Sequence, residues 1–155
     1  MATRSTTKST TTQRQACWDN EITGFVKSIT QVCPVTGFTD GTGTSGYMDF
    51  TDALPVGALV LGWKAVTATA GAWDDDTTAV LMVGKSGDTN FFSGVENGSV
   101  AAAGTIYSIC DDNATVFITA ATTPRVTVTG SSDFTAFVTA ATPSSTVTIY
   151  YIELL

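Results

Sequence analysis

The chain has 155 residues, of which 43% are hydrophobic and only 14% charged, with a formal net charge of −7 and no histidine. That length fits one domain able to bury about two thirds of its unfolded surface. The missing histidine removes the usual general base, the commonest metal ligand and every Ser-His or Cys-His dyad. Phosphate is repelled by so acidic a body, so nucleic acid is not an expected partner.

Residues 1–18 form the first segment, an extended polar arm carrying Arg4, Lys8 and Arg14 and no acid. "TRSTTKSTTTQRQ" lacks an apolar residue and cannot repay its own ordering entropy. It reads either as a solvated terminus or as an arm that orders on an acidic partner surface. The start has no apolar signal-peptide core, and no apolar run reaches the ~20 residues of a membrane span. Synthesis in a cytoplasm without export by that route, and no membrane partner, are the expectations.

Residues 19–155 form the second segment, with four basic and fourteen acidic residues and a charge of −10 against +3 for the arm. Thr, Val, Ile, Phe and Tyr suit pleated strands, and Gly, Asp and Asn suit turns. "EITGFVKSITQVC" has Ile22, Phe25, Val26 and Ile29 at helical spacing, but Gly24 and the β-branched residues favour a strand. "PVTGFTDGTGTSG" predicts a long loop and "YMDFT" a short strand. In "ALPVGALVLGWKAVTATA", Leu59, Leu61, Trp63 and Ala65 alternate with Val60, Gly62 and Lys64 after a Pro-Val-Gly turn. "TAVLMVG" is apolar on both faces, as a central strand is. "TNFFS", "VAAAGTIYSIC", "ATVFITA", "PRVTVTG", "DFTAFVTA" and "STVTIYYIEL" complete the strands. Turn signals recur about every ten residues, a spacing that predicts an all-β, two-sheet sandwich or barrel of eight or nine strands.

Val126 and Val128 alternate with Thr127 and Thr129, and Val147, Ile149 and Tyr151 with Thr146, Thr148 and Tyr150. The second face is therefore rich in threonine and uncharged, as a surface packed against sister subunits requires. Tyr150 on that face and Trp73 beside the acidic tip are candidate surface or subunit contacts. Trp63, on an alternating apolar face, is expected in the core.

Asp74, Asp75 and Asp76 lie between two expected strands, where solvated turn carboxylates belong. With Asp88 they are the candidate calcium ligands, although "DDDTT" lacks the alternating spacing of a calcium loop. No cofactor or metal is otherwise implied, and no Gly-x-Ser-x-Gly, phosphate loop or dinucleotide fingerprint occurs. Cys17, Cys33 and Cys110 cannot all pair within the chain. They read as buried reduced thiols, with a Cys17–Cys33 disulfide as the alternative.

"LPVGALVLGWKAVTATAGAW", "TAVLMVGKSGDTNFFSG" and the closing "STVTIYYIEL" together resemble small structural proteins encoded among the head genes of tailed bacteriophages. Leu54, Pro55, Gly57 and Ala58, then Val83, Gly84, Gly87, Asp88 and Phe92, then Val147 to Glu153, carry the likeness. It spans about residues 50–95 and 145–155 and leaves out the arm and residues 19–46. The resemblance implies a jelly-roll-like antiparallel β-sandwich of about eight strands behind an extended arm. It also implies a capsid decoration (cement) protein on the virion surface, a homotrimer or homodimer that binds the major capsid protein. Arg4, Lys8 and Arg14 then belong to a capsid-binding arm. Two other classes stay open: a neck, tail-fibre or glycan-binding virion module, and a carboxylate-dependent glycan hydrolase.

Overall fold

Alternation along the strands builds the molecule. In the computed structural model, which describes residues 26–68, 73, 78–93, 98–100, 103–109, 116–135 and 144–153, the two longest strands hide one face. Among the described residues ten strands follow in chain order: β1 Val26–Pro34, β2 Thr39–Asp40, β3 Ser45–Asp49, β4 Ala58–Thr67, β5 Val80–Lys85, β6 Gly98–Ser99, β7 Gly104–Ile109, β8 Val116–Phe117, β9 Pro124–Thr129 and β10 Ser144–Glu153. In β10, Ser145, Val147, Ile149 and Tyr151 are buried and the residues between them only partly so. That is the period of two that a sheet with one covered face imposes.

The strands form two antiparallel sheets. One has the order β1-β10-β4-β7, with β8 also paired to β4, and the other β2-β3-β9-β5-β6. The chain crosses repeatedly between them, so the late strand β10 lies between β1 and β4, and β9 between β3 and β5. The all-β sandwich expected from the turn spacing is observed. Trp63, Ala65, Val147 and Ile149 from the first sheet face Leu81, Val83, Val126 and Val128 from the second, all buried. A bulge shifts the β10–β4 register, Tyr150 pairing with Gly62 and Tyr151 with Val60, so Leu61 is the extra residue.

Three segments differ from their sequence reading. Residues 34–46 are more than a loop. A 3₁₀ turn at Val35–Gly37 leads into the β2–β3 hairpin, paired at Thr39–Tyr47 and Asp40–Gly46. Residues 89–93 form turns instead of a strand, because the chain folds back onto β5: the N–H groups of Phe92 and Ser93 both donate to the Val83 carbonyl, at 3.0 and 2.9 Å. Phe134 and Thr135 start a helical turn, not a strand, since the Asp133 carboxylate accepts from the Thr135 N–H at 3.0 Å. The remainder of "DFTAFVTA", like residues 21–25, lies outside the described residues.

Candidate functional site

The two outer faces of the sandwich differ in chemistry. On the β2-β3-β9-β5-β6 sheet, register places Tyr47 opposite Thr127 and Asp49 opposite Arg125. Arg125 donates to Asp49 through Nε at 2.6 Å and Nη2 at 3.0 Å, a two-pronged ion pair. Its guanidinium lies over the Tyr47 ring, 3.9 Å from the centroid. The pair fixes the arginine side chain, which is only 18% exposed. Sequence reading missed this cluster. The i, i+2 spacing of Tyr47 and Asp49 puts them on one face, but only sheet register brings Arg125 there.

The outer face of the β1-β10-β4-β7 sheet is threonine-rich and almost without charge. Thr30 and Thr148 share a hydroxyl–hydroxyl hydrogen bond of 3.0 Å across β1 and β10. Tyr150 lies half-buried on this face, between Ser28 of β1 and Gly62 of β4. Lys27 and Glu153 form an exposed ion pair at the corner of the sheet. Its hydrogen bond to Glu153 raises the Lys27 pKa.

Trp73 does not occupy an exposed position. It is 1% exposed. Its ring meets Phe38 edge-on at 5.3 Å and leans against Phe134 at 6.4 Å, and its Nε1 donates to Ser145 Oγ at 3.3 Å. An indole has a large apolar area to hide and one N–H to satisfy, and both needs are met inside the sandwich. Trp63 lies in the core, 2% exposed, as its alternation predicts.

Asp88 sits exposed in the turn after β5, where backbone bonds with Lys85 of 2.8 and 3.1 Å close the loop. Asp74, Asp75 and Asp76 lie outside the described residues, as do Arg4, Lys8 and Arg14. Among the described residues no three cysteine or acidic side chains gather to hold a metal ion. Cys33 is a buried free thiol, and the alternative of a Cys17–Cys33 bridge involves a residue outside the described ones. Burial pushes its pKa up to about 12. A thiol so held stays protonated and unreactive near neutral pH. Cys17 and Cys110 lie outside the described residues.

No protein-family model matches the chain, and no curated protein does. Solved structures do. A chain in the cyanophage Pam1 capsid asymmetric unit superposes with a TM-score of 0.55 at 21% identity, covering 83% of this chain and 85% of that one. The fold occurs in a phage capsid. The Ralstonia phage GP4 capsid aligns with a TM-score of 0.49 at 15% identity, over 83% of this chain and 86% of that one. The acid-stable capsid of Helicobacter pylori bacteriophage KHP30 aligns at 0.46 and 14%, over 82% and 92%. At these identities the likeness is one of fold.

Proposed function

We propose that this chain is a non-enzymatic virion structural protein that binds the outside of a phage capsid and stabilises the shell by bridging capsomers. The observation that carries the reading is the fold shared with a Pam1 capsid chain over more than four fifths of both chains, so the likeness involves the whole sandwich. The charge split supports it, with a +3 arm of eighteen residues ahead of a −10 body. In this reading Arg4, Lys8 and Arg14 dock the arm on the major capsid protein, and the sandwich mediates contacts between copies. Each contact is modest, and an oligomer multiplies it through effective concentration. Each bound copy then stabilises the assembled shell by mass action.

The test is the copy number of this chain per purified particle, by quantitative mass spectrometry against the major shell protein. Hundreds of copies in a simple ratio to that protein are expected. About a dozen would place the chain at a neck or tail, where cyclic symmetry is low.

A further inference from the structure

We infer that two copies of this chain associate through an apolar row on the outer face of the β1-β10-β4-β7 sheet. The row is set by register: Val26 pairs with Ile152, Ile152 with Leu59, and Leu59 with Phe117. All four point outward. Their neighbours Tyr151 and Val60 are buried, and Val116 packs against the core. The ends of the row are open, Val26 being 46% and Phe117 49% exposed. With strands about 4.8 Å apart, the row runs about 14 Å straight across the sheet. Tyr150 stands in the next row, and Val56, 62% exposed, lies in the turn that bonds through the Gly57 N–H to the Ile118 carbonyl beside Phe117.

Charge selects the occupant. The chain carries −7 overall, so two copies repel unless they meet where acid is absent. Among the described residues this face holds no acid. Glu153, next to Ile152, has the opposite strand parity and is paired with Lys27. Among the described residues the one cation on the face is Lys64, five residues along β4 from Leu59, or about 16 Å. A two-fold axis running along the row lays each row on its copy and puts the two lysines about 30 Å apart, beyond the Debye length. The flat area of the four strands is about 500 Å² per partner before side-chain relief, about 1,000 Å² for the pair, which is the size of a small, weakly associating interface.

This inference deepens the self-association part of the proposed function, but its test needs no shells. The full chain is measured by sedimentation equilibrium across a concentration series, beside Phe117→Asp, Val26→Asp and Val32→Asp. Val32 is 55% exposed on the same face, six residues along β1 from the row, and serves as the rim control. The expected result is an associating wild type, weakened about thirtyfold or more by either substitution in the row and little by Val32→Asp. Circular dichroism and melting verify that the variants fold. A monomeric wild type overturns the inference. So does association unchanged in Phe117→Asp while its melting point falls, which assigns the row to the chain's own residues 1–25. Self-association with few copies on the particle would leave the inference standing and sink the capsid reading.

Discussion

At the scale of single residues, burial decides chemistry. Cys33 is fully enclosed, and burial pushes the pKa of its thiol, which donates to the Gln31 carbonyl at 3.6 Å, up to about 12 from an ordinary 9.0. The folded state therefore keeps a proton that the unfolded chain gives up above pH 9. Its contribution to stability is complete below that pH and is lost between pH 9 and 12, at about 1.4 kcal/mol per pH unit. Guanidinium melts between pH 8 and 10.5 should fall more steeply for the wild type than for Cys33→Ala, since the other cysteines are common to both. Equal slopes would show that the thiol is not held neutral. Close approach is the other residue-scale constraint: a methyl group on Gly46 would lie 2.2 Å from the Phe134 ring, so the ring packs directly on β3 backbone.

At the scale of an element, the β2–β3 hairpin shows tertiary contacts overriding local preference. Its tip places Thr42 at φ 73°, a left-handed conformation that a β-branched residue adopts at a cost. Long-range bonds hold the tip there: Phe134 N–H donates to the Gly43 carbonyl at 2.8 Å, and Gly130 N–H to the Thr44 carbonyl at 3.1 Å. Asparagine tolerates that conformation better and keeps the backbone N–H that bonds Asp40 at 2.9 Å. Thr42→Asn should stabilise the protein by about 1 kcal/mol in urea unfolding. A loss of stability would mean that the threonine hydroxyl, which donates to the Gly41 carbonyl, matters more than the strain.

At the scale of the whole molecule, the proposed arm and sandwich have separable tasks. A chain that starts at Asp19 should fold and self-associate through the apolar row, yet fail to co-sediment with undecorated shells. Undiminished binding would move the capsid contact from Arg4, Lys8 and Arg14 to the sandwich. The same truncation bears on the outer face, because any change in self-association on removing the arm would give residues 1–18 a part in that contact too.

Much of the fold was legible before any coordinates, and for a physical reason. Alternation in "STVTIYYIEL" and "ALVLGWKAV" is a local property, since a pleated strand with one covered face needs apolar side chains at every second position. The all-β class, the principal strands and the place of Trp63 follow from it. "TNFFS" misled, because two phenylalanines between polar residues read the same whether the chain runs on as a strand or folds back onto Val83. Trp73 misled because its neighbours are acidic, whereas its surroundings in space are Phe38, Phe134 and Ser145. What the sequence by itself determined is the alternation of the strands and how charge divides between residues 1–18 and the rest; in β4 it put Leu59 on the face of Trp63, and the bulge at Leu61 turns Leu59 outward instead. Only the tertiary structure decided register. Register joins Asp49 to Arg125 across 76 positions, and sets Val26, Ile152, Leu59 and Phe117 in one line. Such partners are distant along the chain, and no local pattern encodes which residue of one strand will stand beside which residue of another.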